Sequence, residues 1–253
     1  MNVECKKAVT PEGVELFYTG ADLDQGPLPA LFYFAISGEE SITLPPYNSP
    51  AIYGSDPALR IFSLTLPGHG EGFNKFKAMD YWAQEINAGN HPIEKFLDQA
   101  VRAIDWLIEE EIAHPDHLAV CGLSRGGLIA THIAAREKRV RTLLGFAPIT
   151  RLEEVEAFQE NTNLESPNLS SLAENLTHLH NVRFYIGNRD SCVGTDACYH
   201  FIRHLTEKAH DKRARHMHVE LFITHSIGHK GHGTTPHVFE EGTLWLKNHL
   251  LGR

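Results

Sequence analysis

The pentapeptide Gly122-Leu123-Ser124-Arg125-Gly126 sits between an apolar run at residues 117–121 and the apolar stretch Gly127-Leu128-Ile129-Ala130, and it is the most specific chemical signal in the chain. A strand before it and a helix after it require a tight turn, in which side chains at 122 and 126 would collide with neighbouring backbone. Ser124 itself is then held in a strained conformation, with its hydroxyl lifted clear of the strand. The turn also places that hydroxyl at a helix N-terminus, where unpaired N–H groups and the helix dipole favour developing negative charge. The amide of Arg125 is one candidate donor to such a charge.

A serine hydroxyl is a poor nucleophile at neutral pH. It needs a histidine base, and the base needs a carboxylate to set its tautomer and to stabilise the imidazolium. Beyond an apolar run at 181–186 comes Gly187-Asn188-Arg189-Asp190, which sets Asp190 in a loop at a strand's carboxyl end, on the same rim as the serine. Beyond the run at 219–224 come His225, His229 and His232. His225 lies too close to the strand end to reach the serine. Between the other two, His232 is preferred, because it stands four residues before Pro236, where the last helix opens. A metal site is the chemical rival, since His237 follows the other three. Yet zinc sites usually place two histidines on one rigid element, whereas these occupy a glycine-containing loop with no acid before Glu240, so no metal and no cofactor are expected.

The elements that must position these groups are legible as apolar runs. Short β-rich segments recur at 14–18, 30–36, 59–64, 117–121, 141–146, 181–186 and 219–224, several of them continuous rather than alternating. A strand without a polar face is covered on both sides, as in a parallel sheet flanked by helices. Helical periodicity appears at 93–112, 126–136, 196–209 and 236–251, so the fold class is α/β with a mostly parallel central sheet. Residues before Ala30 read as a hairpin forming an antiparallel edge. The polar, Asn-rich stretch 148–180 reads as a small cap-like insertion over one end of the sheet, and the absence of any linker predicts one domain over 1–253.

The charge balance is 23 Lys+Arg against 32 Asp+Glu, a net of −9, so no nucleic-acid partner is expected. The N-terminus lacks the apolar core of a signal peptide, and the apolar stretch at 30–36 is far below the roughly 18 residues of a membrane span. A cytoplasmic protein without a membrane partner is the expectation. Four scattered cysteines form no disulfide framework.

In the order Ser124, Asp190, His232 the chain resembles the α/β-hydrolase fold superfamily, from about residue 14 onward. The segment Leu64-Thr65-Leu66-Pro67-Gly68-His69-Gly70 looks like that family's loop after the fourth strand, and Gly187-x-x-Asp190-x-x-Val193 looks like its acid loop. Gly231-His232 before Pro236 and Trp245-Leu246 is similar to the base loop of small esterases of the dienelactone-hydrolase and prolyl-oligopeptidase-like branch. The resemblance implies Ser124 as nucleophile, Asp190 as orienting acid and His232 as base, acting on a small-molecule ester or acyl substrate. It also implies a second oxyanion amide after the third strand. There the usual His-Gly is replaced by Phe34-Ala35-Ile36-Ser37-Gly38-Glu39-Glu40, which leaves the amide of Ala35 or Ile36 for the role. A peptidase or thioesterase using the same groups, or a non-catalytic binding protein with an impaired oxyanion hole, are the alternatives. Arg125 has two readings, a substrate-carboxylate ligand or the partner of a nearby acid.

Overall fold

Apolar residues that alternate between two cores explain why the middle of the chain is strand. In β3 (Leu28–Phe34), Leu31 and Tyr33 enter one core while Phe32 and Phe34 enter the other. A computed structural model describes residues 3–160 and 167–253. Its described strands β1 (Lys6–Val9), β2 (Glu15–Gly20), β3, β4 (Arg60–Ser63), β5 (Ala113–Leu123), β6 (Val140–Phe146), β7 (Asn181–Gly187) and β8 (His218–Thr224) form one sheet in the order β1-β2-β4-β3-β5-β6-β7-β8. The β1–β2 hairpin and its pairing with β4 are antiparallel, and every pairing from β4 to β8 is parallel. The expected antiparallel edge leading into a parallel sheet is therefore present.

Helices cover both faces. The larger core takes in Trp82 and Ala83 of α3 (Ala78–Asn87), Phe96 and Leu97 of α4 (Pro92–Glu109), Leu128 and Ile129 of α5 (Arg125–Arg136), and Phe201 and Leu205 of α6 (Thr195–Asp211). On the opposite face, Val238, Phe239 and Leu246 of α7 (Pro236–Leu251) pack on Phe146 and Tyr185. Two short helices, α1 (Gly38–Thr43) and α2 (Ser49–Gly54), occupy the connection after β3, which hydropathy periodicity leaves blank. In the stretch 148–180, residues 161–166 lie outside the described residues. The rest carries short 3-10 turns at Leu152–Glu154, Glu156–Phe158 and Leu169–Leu176. Leu169, Ala173 and Leu176 join the larger core, and the Pro167 carbonyl is 2.8 Å from His132 Nε2, so this part of the stretch is seated against α5. Among the described residues, no helix is long and apolar enough to cross a membrane.

The periodicity gave no warning of a fully buried arginine on β4. Arg60 donates through Nε to the carbonyl of Ala21 at 3.1 Å, and through Nη1 to Gly26 at 2.9 Å and Ile112 at 2.5 Å, with a further bond to the Asp22 carbonyl. One guanidinium thus ties the loop after β2 and the end of the α4–β5 turn to the sheet, adding to the Gln25 and Leu28 amides that the Asp22 and Ile112 carbonyls already accept. Arg60→Met is expected to lower the unfolding free energy by about 2–4 kcal/mol, read from the urea midpoint, because it removes four charge-assisted hydrogen bonds that join the loop after β2 and the α4–β5 turn to the sheet.

Candidate active site

Ser124 is the residue between β5 and α5, with φ 55° and ψ −116°. That conformation is unfavourable for a residue with a side chain, and it is held by contacts on every side. The Ser124 amide donates to the Phe146 carbonyl at 2.8 Å, and its carbonyl accepts from Gly127 at 2.9 Å and Ile149 at 3.1 Å. The flanking glycines are required by contact: a Cβ on Gly122 would sit 2.0 Å from the Gly126 carbonyl oxygen, and one on Gly126 would sit 1.9 Å from that of Phe34. Ser124 is partly exposed, at one wall of a cavity of about 280 Å³.

Asp190 follows β7 in a loop that closes on itself. Its side chain is fully buried, and Oδ1 accepts the amides of Cys192 at 2.9 Å and Val193 at 3.2 Å, which leaves Oδ2 free to turn toward the base. The loop after β8 is pinned against it. The Ser191 amide donates to the Lys230 carbonyl at 3.0 Å, and Gly231, at φ +78°, packs so tightly that a Cβ there would lie 2.2 Å from the Arg189 carbonyl oxygen. Lys230 Nζ also reaches Glu156 Oε2 at 2.9 Å.

This clamp turns His232 inward. His232 Nε2 lies 2.8 Å from Ser124 Oγ, and Nδ1 lies 2.7 Å from Asp190 Oδ2. His225, His229 and His237 are all exposed, and among the described residues no three His, Cys, Asp or Glu side chains are grouped to hold a metal ion. Of the histidines weighed for the base, the structure brings only His232 to the serine.

The three candidate oxyanion residues all line the cavity. Arg125 opens α5, so its amide has no intrahelical acceptor. Ala35 and Ile36 lie just past the end of β3, but the Ile36 amide donates to the buried Ser41 Oγ at 3.1 Å, which commits it in this structure. Ser41 itself donates to the Ser37 carbonyl at 2.7 Å. Glu39 is exposed, and Glu40 binds Lys75 Nζ at 2.7 Å, so neither acid enters the cavity wall.

The sequence reading missed three groups here. Pro46 and Tyr47, from the connection between α1 and α2, form part of the cavity wall. His69, in the loop after β4, stands against Arg125, with Nε2 at 3.0 Å from Nη1. Burial, with the charges of Arg125 and Lys75, pulls the His69 pKa down to about 3, so the ring is neutral at physiological pH. A guanidinium has no lone pair to offer, so Nε2 must be the acceptor.

A family model described as alpha/beta hydrolase fold matches residues 86–191, which include Ser124 and Asp190. No curated protein matches the chain. Among solved structures, TT1662 from Thermus thermophilus is 17% identical, with each chain covered in full and a TM-score of 0.70. The Pyrococcus furiosus esterase Pf2001 is also 17% identical over 99% of this chain and 93% of its own, with a TM-score of 0.65. An acylaminoacyl peptidase from Pyrococcus horikoshii is 13% identical over 98% of this chain, with a TM-score of 0.67, but this chain spans only 41% of that protein's length. Family model, strand order and strained turn agree, and the chain is a protein of the α/β-hydrolase fold.

Proposed function

We propose that this protein is a serine hydrolase that cleaves a carboxylic ester or related acyl bond through Ser124, His232 and Asp190. The observation that carries the reading is the chain of contacts from Ser124 Oγ to His232 Nε2 at 2.8 Å and from His232 Nδ1 to Asp190 Oδ2 at 2.7 Å. His232 accepts the serine proton as Oγ attacks the carbonyl carbon. The imidazolium then donates through Nδ1 to a carboxylate whose other oxygen is already occupied by two amides, so Asp190 is held in place for the charge that forms. The Arg125 amide, with a second from Ala35 or Ile36, receives the oxyanion; using Ile36 requires its amide to leave Ser41. Collapse expels the leaving group, protonated by His232, and leaves an acyl-enzyme. Water activated by the same histidine releases the acid.

A cavity of about 280 Å³ is at the small end for ligand sites, which favours a modest substrate. An ester is favoured over a peptide because the esterase Pf2001 is matched along nearly its whole length. A fluorophosphonate probe is expected to label the protein at Ser124, and a panel of p-nitrophenyl esters, thioesters and aminoacyl amides is expected to show ester turnover above the others. An unlabelled protein that turns over no member of the panel would contradict the reading and favour a non-catalytic binding role.

A further inference from the structure

Arg125 is the first residue of α5 and lines the cavity beside Ser124. An arginine so placed is ordinarily matched by an acid, because an unpaired buried charge is costly. Here that acid is missing: among the described residues, the only polar partners of the guanidinium are His69 Nε2 at 3.0 Å and the Lys75 carbonyl at 3.3 Å. Glu40, which reaches the same loop, is occupied by Lys75 and by Ser37.

Both of those partners are served by Nη1. Nε and Nη2, which form one edge of the guanidinium fork, have no protein acceptor, and neither is sealed from solvent. Two parallel N–H donors on one edge match the two oxygens of a carboxylate. Neutral His69 and the Lys75 carbonyl hold Nη1 without cancelling the charge, and Arg125 stands at the N-terminal end of α5, where the helix adds a partial positive charge.

Resting on the serine-hydrolase reading, we propose that Arg125 is a specificity-determining residue whose free Nε–Nη2 edge binds a carboxylate carried by the substrate, so that the preferred esters are anionic. The carboxylate comes either from the acyl part or from the leaving group. Either source supplies the same bidentate acceptor.

The test compares paired substrates. For the acyl side, p-nitrophenyl hemisuccinate, hemiglutarate and hemiadipate are measured against neutral p-nitrophenyl esters of equal chain length. For the leaving group, valerate esters of 4-hydroxybenzoic acid and of 4-hydroxybenzamide are compared. The wild-type protein is expected to favour the anionic member of at least one pair by about ten- to hundredfold in kcat/KM, the range of a charge-assisted bidentate contact. In Arg125→Gln that ratio should fall to about one, and Arg125→Lys should lie between, because a point charge replaces the fork. Using the ratio removes any loss common to both substrates. If Arg125→Gln does not fold, wild-type inhibition by glutarate against its diamide gives the same comparison, with the dianion expected to bind at least about tenfold tighter. Neutral esters turned over as well as anionic ones, or a preference that survives in Arg125→Gln, would overturn the carboxylate subsite and leave the hydrolase reading standing. A protein with neither turnover nor fluorophosphonate labelling would overturn both.

Discussion

Ser124→Ala is expected to lose ester turnover by a factor on the order of 10⁴ to 10⁶ and to abolish fluorophosphonate labelling, with the urea midpoint nearly unchanged. The size follows from the mechanism: no other hydroxyl among the cavity-lining residues stands at hydrogen-bond distance from His232 Nε2, so nothing substitutes as nucleophile. His232→Ala should cost about as much, and the double variant little more than either, because a base without its nucleophile has nothing to do. Asp190→Asn should cost about 10⁴-fold. An amide in place of the carboxylate can offer an N–H to Nδ1 and force the imidazole into the tautomer that cannot accept the serine proton. His229→Ala is the informative control, since His229 is exposed and only His232 is hydrogen-bonded to the serine. Steady-state rates on one p-nitrophenyl ester decide the matter. Activity kept in His232→Ala and lost in His229→Ala would reassign the base, and labelling that persists in Ser124→Ala would remove the nucleophile.

What could be read from sequence follows from how local each determinant is. The turn around Ser124 was legible because strand, glycines and helix are contiguous, and Gly122 and Gly126 are demanded by contacts within the turn or with β3. Asp190 was legible one step further, as an acid at the carboxyl end of an apolar run. His232 was distinguished from His229 only by its spacing to Pro236. The cause visible in three dimensions is Gly231 packed on the Arg189 carbonyl and Ser191 bonded to Lys230, two contacts between loops some 40 residues apart. Helices α1 and α2 are each 6 residues long, too short for apolar periodicity to develop, yet both carried terminal signals. Ser37 is the N-cap of α1, its Oγ accepting the Glu40 amide, and Pro50 lies in the first turn of α2. Arg125 shows the limit of local reading. A neighbouring acid was one of its two readings, and only the packing of the loop after β4 shows a neutral histidine and a carbonyl in that place.

Gly126→Ala tests whether the serine is positioned by packing or merely tolerated by it. Gly126 lies inside α5 and needs no unusual φ, so backbone conformation alone would make alanine harmless or slightly stabilising. The obstacle is steric. The added methyl would lie 1.9 Å from the Phe34 carbonyl oxygen, 2.4 Å from its carbon and 3.0 Å from the Ala35 nitrogen, all backbone atoms of the strand end beside the cavity. Relief requires α5 to retreat from β3 by more than an ångström. That displacement carries Ser124 away from His232 and opens the space between the Arg125 amide and those of Ala35 and Ile36. The variant is therefore expected to lose more than about 4 kcal/mol of stability, placing it among the rare severe single substitutions, and any soluble fraction should resist the fluorophosphonate probe. Gly13→Ala supplies the contrast. Gly13 has φ +82° and no atom within 4 Å of an added Cβ, so it pays only for backbone strain, about 1 kcal/mol, and should leave labelling intact. Urea unfolding of the two variants separates the causes: if Gly126→Ala unfolds within about 1 kcal/mol of the parent and still labels at the parental rate, close contact between α5 and β3 does not hold the serine in place.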